Sequence, residues 1–233
     1  MYLSRVRVAT EGLNPKSLQQ LMQGNAYGNH QLLWKLFPNE DGRPFLFRQE
    51  QEHDVPSLGE QPRGMPLFYV LSQIEPQEVP GLLSCESKPF APRLQAGQLL
   101  GFRLRANPVV ARREEGRKNS RHHDVLMDAK RQARSEGIDD RTAIQARMDD
   151  AARAWLQDED RANRNGYRLV APPQVSGYRQ HTSRRKGKQI RFSAVDFEGI
   201  LEVTDPERFH QNLAHGIGRS RAFGCGMWMV RRA

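Results

Sequence analysis

Tyr27 and His30 are the residues best typed and spaced for chemistry in this 233-residue chain. In Asn25-Ala26-Tyr27-Gly28-Asn29-His30 they stand three apart, so on a helix both project from one face. Asn25 or Asn29 is a suitable cap for that helix, which sets His30 in its first turn or just beyond. A helix N-terminus disfavours imidazolium and enlarges the neutral fraction able to accept a proton near neutral pH. Such a pair could act on RNA: His30 takes the proton of a ribose 2′-hydroxyl, the oxygen attacks the adjacent phosphorus, and Tyr27 orients or protonates, with no metal. The same two residues would equally cap a core helix beside Trp34, and the spacing alone leaves both readings open.

A second candidate lies near the other end of the chain. Gly216, Gly218, Gly224 and Gly226 let a backbone turn tightly and bring bare N–H groups to an anion, and Arg219 and Arg221 add charge within the same stretch. It reads as a phosphate cradle or, more simply, as a glycine-rich turn joining a helix to an edge strand. Asp205-Pro206-Glu207 is a sound helix start, so the order is helix, loop, strand. A nucleotide fingerprint needs strand, loop, helix, and no G-x-x-x-x-G-K-[ST] pattern occurs, so no mononucleotide cofactor is expected. A polymer with many phosphates fits better.

The third candidate is Arg184-Arg185-Lys186-Gly187-Lys188, a turn between two expected strands with His181 nearby. A hairpin tipped with four cations can press against a phosphate backbone and release counterions, although charged turns are also common solvated surface. Arg112, Arg113, Arg117, Lys118 and Arg121 form a comparable run. His122-His123-Asp124 has metal-ligand residue types, but adjacent side chains diverge and no third ligand is spaced to complete a site, so no metal is expected. Asp139-Asp140, Asp149-Asp150 and Asp158-Glu159-Asp160 alternate with Arg147, Arg153 and Arg161, the pattern of a salt-bridged helix surface rather than of a metal-dependent nuclease.

Composition favours the same partner. Lys and Arg number 36 against 27 Asp and Glu, a net charge of +9, and arginine, whose planar fork suits phosphates and stacked bases, dominates. Nucleic acid is the leading partner class. No apolar run approaches the roughly 20 residues of a spanning helix, and no basic helix has a matching apolar face, so no membrane partner is expected. Cys85 and Cys225 form neither a disulfide framework nor a zinc spacing, which points to a reducing cytoplasm.

The elements that must carry these residues follow from periodicity. Leu3, Arg5 and Arg7 alternate with Ser4, Val6 and Val8 in a first strand, closed by a turn at Gly12 to Pro15. Leu18, Leu21 and Met22, then Leu32, Leu33, Leu36 and Phe37, give helical spacing until Pro38. Residues 44–49 and 66–74 read as strands, 75–81 as a weak helical turn and 83–88 as a strand. Beyond a joint at 89–97, residues 99–110 read as one strand with Phe102 and Leu104 opposite Arg103 and Arg105. Helices are expected over 125–134 and 141–160, where Ile144, Met148, Ala151, Ala152, Trp155 and Leu156 share a face. Strands are expected at 167–175, 178–181, 189–197 and 199–203, then the helix from Asp205 and a last strand at Met227 to Val230. Each half thus reads β-α-β-β-α-β, an α+β chain of two tandem ferredoxin-like (RRM-like) domains over 1–92 and 97–233, the second with a charged crossover insertion at about 111–165.

Four stretches together resemble the CasE/Cse family of CRISPR endoribonucleases, the repeat-processing subunit of the type I-E Cascade complex. They are Met1-Tyr2-Leu3-Ser4-Arg5-Val6; the Tyr27-x-x-His30 pair followed by Leu32-Leu33-Trp34-Lys35-Leu36-Phe37-Pro38; Phe102-Arg103-Leu104-Arg105-Ala106-Asn107-Pro108; and Phe197-Glu198-Gly199 through Gly216-Ile217-Gly218 to Gly224-Cys225-Gly226. The resemblance implies two ferredoxin-like domains, a precursor CRISPR RNA substrate and metal-independent cleavage at the 3′ base of the repeat hairpin. It implies products with a 2′,3′-cyclic phosphate and a 5′-hydroxyl, and a mature crRNA that stays bound for assembly with other Cascade subunits. It casts His30 as general base and Tyr27 as its partner, with Tyr27, His30 and Lys35 as candidates for the leaving-group acid. RNA contacts are implied for Arg184, Arg185, Lys186 and Lys188 in the basic hairpin and for the Gly216–Gly226 loop, with Arg103 and Arg105 on the arginine-rich strand. No cofactor is implied, and the chain alone is expected to be a monomer. The stretch from about Gly116 to Asp140 is longer and more charged than the family pattern.

Overall fold

A computed structural model describes residues 1–9, 26–51, 66–113, 120–185 and 188–233. The expected turn at Gly12 to Pro15, the helical spacing of Leu18, Leu21 and Met22, and Asn25, Arg117, Lys118 and Lys186 lie outside the described residues.

The first half is a four-stranded antiparallel sheet. Its strands are β1 (Tyr2–Val8), β2 (Phe45–Gln51), β3 (Pro66–Ser72) and β4 (Leu83–Pro89), in spatial order β2-β3-β1-β4. That order, with the first and third strands central, is the ferredoxin-like arrangement. Strand alternation explains the layers: Ser4, Val6 and Val8 of β1 are buried, as are Phe45 and Phe47 of β2. Val6, Phe45, Phe47, Phe68 and Val70 form a core with Leu32 and Leu33 of helix α1 (Ala26–Trp34) and with Leu36 and Phe37 just beyond it. No second helix forms over 75–81. Pro76 and Pro80 each lack an amide N–H, and the segment makes only a turn closed by a Val79–Leu83 bridge.

The second half repeats the strand order. Strand β5 (Leu99–Ala106) lies between β11 (Trp228–Arg232) and β10 (Lys188–Val203), with β8 (Tyr167–Leu169) beyond β10. β9 (Gln174–Arg185) pairs with β10 from Glu198 to Lys188. β10 meets β5 only from Val195 onward, so its first residues and β9 continue past the sheet as a two-stranded ribbon. The chain expected as one strand over 99–110 breaks at Asn107-Pro108, and Val109–Arg112 becomes β6, paired with β7 (Arg121–Asp124). Arg112 and Arg121, two members of the basic run, are therefore cross-strand partners. Gly199 does not divide β10, because Phe102 of β5 pairs with it in register.

Helices α2 (Val125–Ser135), α3 (Arg141–Gln157), α4 (Glu159–Asn165) and α5 (Pro206–His215) complete this half. Ile144, Met148, Ala152, Trp155 and Leu156 are buried in one core with Phe102, Leu104, Phe197, Phe209 and Trp228. Acid residues start four helices: Asp124, Asp140, Asp158 and Asp205 each accept hydrogen bonds from the first exposed backbone amides. Asp150 pairs with Arg153 at 2.7 Å and Asp149 accepts from Gln145 at 2.7 Å, so these acids work within their own helix. Among the described residues no helix is long and apolar enough to cross a membrane.

Candidate RNA-cleaving site

Helix α1 begins at Ala26, which puts His30 in its second turn. Asn29 is not a cap: it sits inside the helix, 1% exposed, and its Nδ2 donates to Gln49 Oε1 at 2.7 Å. Tyr27 and His30 line one cleft of about 360 Å³ with Gln31, Trp34, Ala222 and Phe223. Gln31 Nε2 donates to the Tyr27 hydroxyl at 3.1 Å. The His30 ring meets Trp34 edge-on, with centroids 5.7 Å apart, and lies 5.8 Å from Phe45. Packing beside Trp34 and access to a cleft thus belong to the same pair. Lys35 is exposed beyond the end of α1.

The far wall of the cleft is the glycine-rich loop, where Arg221–Phe223 form a single turn of 3-10 helix. A wider depression continues from His30 and Trp34 past Arg43 to Gly218, Arg219, Ser220 and Arg221. Residues from the two halves of the chain therefore share one site. The loop is fixed by hydrogen bonds from Ile217 N to Gly226 O at 3.0 Å and from Gly226 N to Arg105 O at 2.7 Å. Asn107, at the break after β5, donates to Ser220 Oγ at 2.7 Å.

Two of the four glycine amides already donate within the protein, Gly216 N to Asn212 O at 2.8 Å and Gly226 N to Arg105 O. Gly224 and Gly226 are buried, and a Cβ at Gly226 (φ +87°) would come within 2.5 Å of Ile217 O. At Gly216 it would come within 2.9 Å of Leu46 Cδ1 and at Gly218 within 3.3 Å of Trp155. Their bare sides face protein, so they shape the loop while its charged members reach outward. Arg219 is exposed and its Nη1 donates to His122 Nε2 at 2.9 Å. Arg221 Nη1 donates to the His215 carbonyl at 2.7 Å, closing the end of α5. Arg43, which sequence reasoning missed, has its pKa lowered first by burial and then by the like charge of Arg221.

Arg103 and Arg105 share the outer face of β5, as alternation requires, but each faces a carboxylate of β10. Arg103 Nε meets Glu198 Oε1 at 2.6 Å and stays 53% exposed. Arg105 differs: Nε and Nη2 donate to Asp196 at 3.0 and 2.9 Å, Nη1 donates to the Gln49 carbonyl at 2.9 Å, and only 16% of the side chain is exposed. Its guanidinium is taken up between the two halves of the chain, whereas that of Arg103 stays half-exposed. Desolvation opposes its charge, but Asp196 prevails and the pKa is raised. Arg48, 1% exposed, pairs with Glu50 and, at 3.0 Å, with Asp196, so two arginines and two carboxylates balance.

The basic hairpin forms where expected, with Arg185 opposite Lys188 and Arg184 opposite Gln189 at the end of the β9–β10 ribbon. Nearer the sheet, His181 stacks on Phe192 (4.8 Å) and Phe192 on Phe223 (5.2 Å), which joins the ribbon to the cleft wall. Burial, then Arg105 and Arg179, push the His181 pKa down. His122, His123 and Asp124 part company: His122 turns to Arg219, His123 Nδ1 lies 3.9 Å from Asp128, and Asp124 caps α2. Among the described residues no group of three or more His, Cys, Asp or Glu is placed to hold a metal ion.

Comparison with known proteins gives a consistent result. A family model described as CRISPR associated protein matches residues 1–232. The chain is 29% identical over 229 residues to the CRISPR system Cascade subunit CasE of Escherichia coli, covering 97% of each. It is 30% identical over 214 residues to the CRISPR-associated endoribonuclease Cse3 of Thermus thermophilus, covering 87% of this chain and 81% of the relative. Among solved structures, Cse3 bound to a 19 nt RNA superposes with a TM-score of 0.66 at 29% identity, covering 99% of this chain and 100% of the other. The Escherichia coli protein Cas6e superposes with a TM-score of 0.62 at 25% identity, covering 100% of both chains. With its tandem sheets in ferredoxin-like order, the chain belongs to the CasE/Cse3 family of CRISPR-associated proteins.

Proposed function

We propose that this protein is a metal-independent endoribonuclease that binds the stem-loop of CRISPR repeats in precursor crRNA and cuts at the 3′ base of the hairpin. His30 accepts the proton of the 2′-hydroxyl, the 2′-oxygen bonds to the adjacent phosphorus, and the bond from phosphorus to the 5′-oxygen breaks. The departing oxygen takes a proton from the acid partner, for which Tyr27 in the same cleft, His30 itself and Lys35 are the candidates. The products are a 2′,3′-cyclic phosphate and a 5′-hydroxyl. A general base of this kind contributes about 10² to 10⁴ in rate.

The observation that carries the reading is the shared cleft, in which Tyr27 and His30 face Ala222 and Phe223 of the other half. Arg43 and Arg221 repel one another beside it, and a phosphate between them relieves that repulsion and offsets charge on the reacting phosphoryl group. Arg219 and the hairpin residues Arg184, Arg185, Lys186 and Lys188 take the RNA backbone, and the exposed Arg103 extends that surface. Relatives named for an endoribonuclease and a Cascade subunit, and a neighbour solved with RNA, support the substrate and the stay of the mature crRNA within Cascade. Residues 1–92 and 97–233 act as two domains in this reading, and the protein works in the cytoplasm.

The test is incubation of the purified protein with a synthetic repeat hairpin in excess chelator, with mass spectrometry of the product ends and His30→Ala as control. One cut with a cyclic phosphate end, absent from His30→Ala although the hairpin still binds, is the expected result. Tight binding without a cut makes the protein a hairpin-holding subunit with Tyr27 and His30 as packing residues.

A further inference from the structure

Helix α1 spans nine residues, too short to hold its direction without tertiary contacts. Leu32 and Leu33 anchor one side of it in the core of the first sheet. That side also carries a polar tie, because Asn29 stands three and four residues before Leu32 and Leu33 and next to His30 in the chain. Asn29 is buried and donates to Gln49 Oε1 at 2.7 Å, and the backbone carbonyl of Gln49 accepts from Arg105 Nη1 at 2.9 Å. Arg105 is clamped by Asp196, whose Oδ1 also takes Arg48 Nη2 at 3.0 Å.

We infer that Asn29, Gln49 and the Arg105–Asp196 pair form one positioning network that sets the direction of helix α1, and with it His30, relative to the second sheet; this rests on the cleavage reading above. Three features of the fold support it. Among the described residues β2 is an outer strand, paired with β3 alone, and the Gln49 carbonyl accepts from the other half. Side chains alternate along a strand, so Gln49 shares the helix-facing side with Phe45 and Phe47 while Arg48 and Glu50 point the other way, toward Asp196. The same strand β10 that carries Asp196 carries Phe192, which stacks on Phe223 in the opposite wall of the cleft. Both walls are thereby referred to one strand.

An apolar contact tolerates sliding, whereas a chain of directional hydrogen bonds admits one arrangement. Arg105 is a positioning residue in this scheme, not an RNA contact.

The test compares single-turnover cleavage of a repeat hairpin by the full chain, by Gln49→Leu, by Gln49→Glu and by His30→Ala, with hairpin affinity and thermal midpoint measured for each. A misplacement of about 1 Å costs on the order of 10²-fold in rate, and Gln49→Leu is expected to slow cleavage to that degree with hairpin affinity unchanged. Gln49→Glu keeps an oxygen that accepts from Asn29 and is expected to restore most of the rate. Full-rate cleavage by Gln49→Leu overturns the inference; so does a loss of affinity that accounts for the slower rate, or a Gln49→Glu variant as slow as Gln49→Leu. Should Gln49→Leu not fold, Asn29→Ser, too short to reach Gln49, replaces it with the same expectations. Undiminished cleavage by His30→Ala overturns the cleavage reading and the inference together. An inactive His30→Ala beside a full-rate Gln49→Leu overturns the inference alone.

Discussion

Asp196 and Arg105 face each other across β10 and β5, joined by hydrogen bonds of 3.0 and 2.9 Å in a site that leaves 14% and 16% of the two side chains exposed. Asp196 also serves Arg48, so Asp196→Asn leaves two largely buried guanidinium groups with Glu50 as their one remaining counter-charge within this quartet. Breaking a buried pair from one side costs about 3–5 kcal/mol, and denaturant titration of Asp196→Asn should fall in that range. One step along the same ladder, Glu198→Gln releases the half-exposed Arg103 and should cost no more than about 1 kcal/mol. Equal losses at the two positions would contradict the burial argument.

Gly226→Ala should destabilise the protein. The residue has φ +87°, and a Cβ there would stand 2.5 Å from the Ile217 carbonyl oxygen, in backbone that cannot swing aside. Holding a non-glycine residue in such a conformation costs about 1–3 kcal/mol before the clash is counted. For a chain of this size each kcal/mol lowers Tm by roughly 2–4 °C, so calorimetry should register a drop of several degrees. Gly42→Ala, with open space around its Cβ and no positive φ, should change stability by at most about 0.5 kcal/mol.

His181 makes stability depend on acid. Burial, followed by Arg105 and Arg179, holds its pKa below the ordinary 6.5, so the unfolded chain binds the proton more readily than the folded one. Well above pH 6.5 both states are neutral and this group contributes no pH dependence. As pH falls below that value the unfolded chain protonates first, and stability declines until the folded ring also titrates. An NMR titration of the His181 ring should show a midpoint below 6.5, and a midpoint at or above it would be incompatible with the packing on Phe192 and the nearby arginines.

Local patterns were readable wherever the cause was local. Asp205-Pro206-Glu207 starts a helix because the carboxylate caps amides two and three residues on. The buried face from Ile144 to Leu156 follows from its own spacing, and β5 alternates as its residues dictate. Two stretches read differently because of prolines: Pro76 and Pro80 prevent a helix, and Pro108 ends β5. The roles of Arg105, Asp196 and Gln49 were not readable, since their partners lie 91 and 56 residues apart in sequence and no periodicity encodes such a meeting. Arg43 was missed for the same reason, its neighbour Arg221 belonging to the other half. The glycine spacing correctly marked a tightly turned loop, but spacing does not say which side of a backbone faces solvent. Gly216, Gly218, Gly224 and Gly226 turn theirs toward protein.

The cleft between α1 and the 3-10 turn also has a consequence in time. A ribosome makes His30 early and Phe223 late, and the stretch between them contains three of the first sheet's four strands and most of the second sheet. Domains fold as units in the order of their synthesis. A nascent chain can therefore finish its first sheet and carry His30 while the residues that direct helix α1, and the facing wall, are still untranslated. A product truncated within β10 would have the same defect permanently: His30 would be present with neither Ala222 nor Phe223 opposite it. On the cleavage reading, cutting therefore waits for the last part of the chain to be made.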